Sequence, residues 1–167
     1  MSAAAIGILA FVTLQRLAEL WISKRNTSAL LAQGAREHGR GHYPLIVAVH
    51  VAWLATLWSL APGQPIHWPL IGLFALLQAA RVWVLATLGP RWTTRIITLP
   101  GAPLVRSGPY RWVRHPNYVI VSLEIVILPL AFGLETVAVV FTLLNASVLG
   151  IRIAAENKVL TAAAPAP

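Results

Sequence analysis

Apolar residues run through this chain in long blocks separated by short polar intervals, and the block lengths set the architecture. Residues 3–22 form a first block of about the twenty residues a helix needs to cross a bilayer. Its second half is interrupted by Gln15, Arg16 and Glu19, spaced so that all three share one helical face. A basic loop from Ser23 to His42 follows, with Lys24, Arg25, Arg36 and Arg40 set against Glu37. Pro44 stands where a helix can begin without losing a hydrogen bond, and residues 43–60 form a second span. An uncharged turn, APGQP, leads into a third span over 66–88, which carries Gln78 and Arg81 in its later half and ends at Gly89-Pro90. After a basic connector, residues 116–151 are apolar for too long to be one crossing. Pro129 and Gly133-Leu134-Glu135 divide them into a tight helical hairpin with spans at about 116–131 and 135–153.

This pattern predicts an all-α integral membrane protein with five transmembrane helices. It forms one domain over residues 1–160, followed by a disordered Ala/Pro-rich tail over 161–167. Basic residues fall in the first loop, the third loop and the C-terminal segment, while the second and fourth turns carry none. By the positive-inside rule the N-terminus is outside and the C-terminus cytosolic. The expected location is the plasma or inner membrane. The apolar start has no basic region before it and continues into a full span, which argues against a cleaved signal peptide.

Composition supports the pattern and narrows the chemistry. The chain has 167 residues, 57% of them hydrophobic and 11% charged, with a mean hydropathy of +0.71. No cysteine is present, which excludes disulfides, thiolate metal sites and a cysteine nucleophile. The formal charge of +8 sits in the loops between spans, so it points to topology and to anionic lipids or substrates, not to nucleic acid. His38 and His42 are four apart, but the glycines between them break the helix such a chelate would need, and no metal is expected. His50, inside the second span, is read equally as a packed or a functional residue. Most of the seven tryptophans fall near span ends, where interfacial belts are expected.

The densest polar and aromatic stretch is SGPYRWVRHPNY, Ser107 to Tyr118. With the orientation above it lies at the cytosolic foot of the hairpin. Gln15, Arg16 and Glu19 lie in the cytosolic half of the first span, and Gln78 and Arg81 in that of the third. Asn117 and Glu124 share a face of the fourth span. Thr142, Asn145, Arg152 and Glu156 share one of the fifth. An ionised side chain at bilayer depth costs about 2.5–3.5 kcal/mol on insertion scales, so groups gathered at one level imply mutual pairing or a watery pocket. Interfacial snorkelling of Arg16–Glu19 and Arg152–Glu156 is the plain alternative.

GPY…RHPNY, followed by a long hairpin and RIAAEN, resembles the isoprenylcysteine carboxyl methyltransferase family, which is itself similar to phospholipid N-methyltransferases. The blocks LQRLAEL, KRN, GAREHG and HYP resemble the bacterial branch that O-methylates alkylpyrones. The resemblance implies S-adenosylmethionine as cofactor, held by Gly108, Pro109, Tyr110, Arg114, His115, Pro116, Tyr118 and Glu156, with Asn145 on the same face as Glu156. Asn157 stands where the family has a second glutamate.

Arg16, Glu19, Gln78 and Arg81 are the expected substrate-binding residues, and Arg81, Arg152 and His115 the expected catalytic ones. Arginines suit an anionic nucleophile, either a carboxylate or the enolate of a 4-hydroxy-2-pyrone. The expected activity is O-methylation of a lipid-like acid or enol such as an alkylpyrone. Prenylcysteine carboxyl methylation, phospholipid methylation and a non-enzymatic binding or transport module are the alternatives.

Overall fold

In the computed structural model, residues 2–103 and 105–163 are described, with side chains up to Glu156. The protein is mostly helical. Five long helices, α1 (Ala3–Ala32), α2 (Tyr43–Leu60), α3 (Trp68–Leu88), α4 (Pro116–Ala131) and α5 (Glu135–Ala163), carry the architecture. Four of them, α1, α2, α3 and α5, are long and apolar enough to cross a membrane, as a multi-pass membrane protein requires. The remaining one, α4, is apolar but only 16 residues long.

The sequence explains the helix limits. Ser2 caps α1, its hydroxyl accepting from the Ala5 amide at 3.4 Å. Prolines near the starts of α2, α3 and α4 sacrifice only amide protons that have no helical partner there. At the hairpin, the Pro129 carbonyl accepts from the amides of Phe132 and Leu134, and Gly133 supplies the left-handed turn at φ 66°. Leu9, Trp53, Leu57, Phe74, Ile125, Leu128 and Phe132 meet in the core between these helices. The uncharged turns gather at one end, where the His67 amide donates to the Ala131 carbonyl at 2.8 Å and Ser2 to Pro62 at 2.7 Å.

Three local features depart from the expected pattern. The loop expected from Ser23 begins only after Ala32, because α1 continues for nearly three more turns beyond its apolar block. Its buried Ser23, Asn26 and Thr27 cover the connector after α3. Ser23 Oγ accepts from the Thr94 amide at 2.8 Å, and Asn26 donates to the carbonyls of Trp92 at 2.9 Å and Gly89 at 3.3 Å. Second, two three-residue strands, β1 (Arg36–His38) and β2 (Ile96–Thr98), pair antiparallel with Glu37 opposite Ile97, and so tie the two basic loops together. Glu37 reinforces the link by accepting from Arg40 and from Arg95. Third, α5 stays helical to Ala163, three residues into the segment expected to be a disordered tail, and residues 164–167 lie outside those described.

Candidate active site

A cavity of about 2300 Å³ opens at the end where the basic loops meet. Its walls come from α1, α2, the connector and the feet of α4 and α5. Two polar clusters stand at its ends.

The inner cluster unites α1, α3 and α4. Glu124 is completely buried. One of its oxygens accepts from Gln78 Nε2 at 2.8 Å and Arg81 Nε at 2.9 Å; the other accepts from Arg16 Nη2 at 2.6 Å and from Arg81 Nη2. Glu19 accepts from Arg81 Nη1 at 2.9 Å, from Arg16 at 3.5 Å and from Gln15 at 3.1 Å. Two guanidiniums and two carboxylates thus form a neutral tetrad. Neutrality is the arrangement that low-dielectric surroundings demand of charges packed this deeply. Every nitrogen of the Arg81 guanidinium is committed to a carboxylate. Arg16 keeps Nε buried without a partner among the described residues, as Gln78 does its Oε1.

The outer cluster joins the foot of α4 to the late turns of α5. Tyr118 donates its hydroxyl proton to Glu156 Oε2 at 2.5 Å and accepts from Arg152 Nε at 2.7 Å. The His115 ring stacks on Tyr118 with centroids 5.1 Å apart and places Nδ1 3.8 Å from the same Glu156 oxygen. Arg152 and Glu156 are one helical turn apart, so the pair straddles one tyrosine hydroxyl. Asn145 donates to Ser122 at 3.2 Å, and Asn117 Oδ1 is buried without a partner among the described residues. Tyr110 borders this end, and its hydroxyl is pushed up to about 12 by burial and then by the Glu156 charge. It is therefore a neutral hydrogen-bond donor throughout the ordinary pH range.

Among the residues expected from the sequence, Tyr110, Arg114, His115, Tyr118, Asn145, Arg152 and Glu156 do line the cavity, as do Arg16, Glu19 and Arg81 at its inner end. Gly108, Pro109 and Pro116 do not. They shape the backbone that presents their neighbours, and a Cβ at Gly108 would stand 2.6 Å from Thr87 Oγ1. Gln78 lies behind the wall, bonded to Glu124. Asn157 falls outside the described side chains. Sequence reasoning placed Glu124 on a polar face but assigned it no part in the site. The available signal was charge balance, since Arg16 and Arg81 at one depth need more than Glu19. The open acceptor capacity of the outer cluster fits the amino-acid end of S-adenosylmethionine. Glu156 has an oxygen without a partner among the described residues to meet an ammonium, and Arg111 and Arg114 border the same space to meet a carboxylate.

Comparison with known proteins identifies the family. Residues 70–162, which include α4, most of α5 and the outer cluster, match the isoprenylcysteine carboxyl methyltransferase (ICMT) family. The chain is 38% identical to the uncharacterized protein YpbQ of Bacillus subtilis over 92% of this chain and 94% of that protein. It is 30% identical to an uncharacterized protein of Haemophilus influenzae, over 87% of this chain and 88% of that one. No solved structure matches. The chain belongs to the isoprenylcysteine carboxyl methyltransferase family, whose members are S-adenosylmethionine-dependent membrane methyltransferases.

Proposed function

We propose that the protein transfers a methyl group from S-adenosylmethionine to the acid or enol oxygen of a lipid-like substrate such as an alkylpyrone. The observation that carries this reading is the Arg152–Tyr118–Glu156 constellation standing in one cavity with a strongly cationic connector and an apolar wall. When bound, the cofactor supplies a methyl group on a positively charged sulfur. Glu156, held in place by Tyr118 and His115, is positioned to bind an ammonium, and Arg111 and Arg114 a carboxylate. Such a clamp fixes the cofactor's orientation, which is the chief requirement of an in-line displacement.

The opposite wall is formed by Leu17, Leu20, Val47, Val51 and Leu54 from α1 and α2. It suits an alkyl chain, admitted sideways from the bilayer. Arginines bordering the cavity favour an anionic headgroup there. Because each nitrogen of the Arg81 guanidinium is bonded to Glu124 or Glu19, its part in anion binding is to fix the field and geometry of the inner end, while Arg16 lines the cavity beside it. Arg152 has its Nε on Tyr118, and its two other nitrogens, without a hydrogen bond among the described residues, are proposed to meet the reacting headgroup. In this reading all five helices span the membrane, with the N-terminus outside and the cavity mouth, lined by Arg91, Arg95, Arg106 and Arg111, in the cytosol of a plasma or inner membrane.

Methylation of an isoprenylcysteine carboxylate is a second reading that the family membership favours. It uses the same cofactor end and an equally anionic acceptor. Phospholipid N-methylation fits less well, since an amine gains nothing from a cationic cavity. Calorimetry on the purified protein tests the cofactor assignment. Glu156→Ala removes a charge-assisted contact worth about 1.5–3 kcal/mol, so affinity for S-adenosylmethionine falls roughly ten- to a hundredfold. A wild-type protein that neither binds the cofactor nor is thermally stabilised by it would sink the enzyme reading and favour a binding or transport module.

A further inference from the structure

Deprotonation of the acceptor is a step for which the inner cluster, at the substrate end of the cavity, provides no free base. The Glu19 carboxylate accepts on both oxygens, Glu124 accepts four hydrogen bonds, and the guanidiniums of Arg16 and Arg81 are donors only. His115 stacks on Tyr118 beside Glu156 and belongs to the cofactor end.

His50 is different. It lies on α2, about two turns in from the helix start, and lines the cavity together with Arg16 from α1 and Arg81 from α3. Its Nδ1 is 2.8 Å from the carbonyl oxygen of Ile46, one turn back. A carbonyl oxygen can only accept, so Nδ1 carries the proton of that bond and the neutral ring keeps its lone pair on Nε2. Nε2 has no partner among the described residues, and His50 is one of the residues that line the cavity. The backbone therefore fixes both tautomer and ring orientation, as the orienting partner of a general base does.

We infer that His50 is a catalytic residue, the proton acceptor for the substrate hydroxyl; the inference rests on the methyl-transfer reading above. The hydroxyl proton passes to Nε2 while an oxygen lone pair forms the new O–CH3 bond. The electrons of the breaking C–S bond return to sulfur and cancel its charge. The imidazolium then gives its proton to water. An acceptor that arrives already ionised, such as an acidic enol, needs none of this. His50 thus extends the range of acceptors to hydroxyls that are neutral near pH 7, phenols among them, which have a reference value of about 10.

The full-length protein in detergent provides the test, with a 4-nitrophenol bearing an alkyl chain as the probe and no methyl donor present. Nitrophenolate absorbance reads where the proton is. The wild type should ionise the bound probe at a pH where the free probe is neutral. His50→Gln should lose that band while holding the probe within about threefold of wild-type affinity. In turnover, His50→Gln should slow methylation of an alkylphenol by about a hundredfold, the low end of general-base effects, and slow that of an ionised alkylpyrone far less. A bound probe that stays un-ionised on the wild type overturns the inference without needing any variant. So does an equal loss on both acceptors with an unaltered spectrum. A wild type that methylates neither acceptor, yet ionises the probe through His50, would instead count against the methyl-transfer reading.

Discussion

At the residue scale the most consequential side chain is Glu124, the carboxylate on which α1, α3 and α4 converge. Buried ion pairs contribute little net stability compared with an apolar replacement, but removing one member leaves an uncompensated charge. Glu124→Gln leaves Arg16 and Arg81 sharing Glu19 alone. It should destabilise the protein by about 3–5 kcal/mol, read as a lower melting temperature in detergent. The double variant with Arg81→Met restores neutrality and should recover part of the loss. Equal melting of wild type and Glu124→Gln would show that the tetrad does not hold the helices together. Periodicity placed Arg16, Glu19, Gln78 and Arg81 at one depth. It could not assign partners, because pairing across three helices depends on rotations that a single chain's spacing does not encode. Arg81 illustrates the consequence: expected to bind a substrate anion, it has each of its guanidinium nitrogens bonded to one of two carboxylates.

At the element scale the connector from α3 to α4 borders the proposed cofactor end of the cavity, and one glycine sets its course. Gly108 has φ 54° and packs against Thr87, so a side chain there is both strained and crowded. Gly108→Ala should cost about 1–3 kcal/mol and displace Pro109 and Tyr110, weakening S-adenosylmethionine binding in calorimetry. Gly101→Ala is the matching control, since φ is 75° there but no atom lies within 4 Å of a Cβ. Its effect on binding should be the smaller; the reverse order would mean that the Gly108 turn does not shape the site. The GPY turn was conspicuous in the sequence for its residue types. The β1–β2 pairing and the three extra turns of α1 were not, because Ser23 and Asn26 look like ordinary loop residues until the groups they satisfy, Thr94, Trp92 and Gly89, are brought beside them.

For the whole molecule, the apolar blocks made the helical membrane architecture legible, since hydrophobic length is read directly from the chain. The cavity was legible only in part. Loop charge brought the polar halves of the helices to one end, but the space enclosed between α1, α2 and the connector arises from packing. The central claim is that this space brings S-adenosylmethionine at Glu156 together with an oxygen nucleophile carrying an apolar tail. Membranes containing the protein, supplied with methyl-labelled S-adenosylmethionine and offered an alkylated 4-hydroxy-2-pyrone or a prenylcysteine analogue, test it most directly. The account predicts labelled methyl ether on the pyrone, abolished by Glu156→Ala. Label on the prenylcysteine alone would move the assignment to the second reading, and label on neither oxygen acceptor would contradict the account.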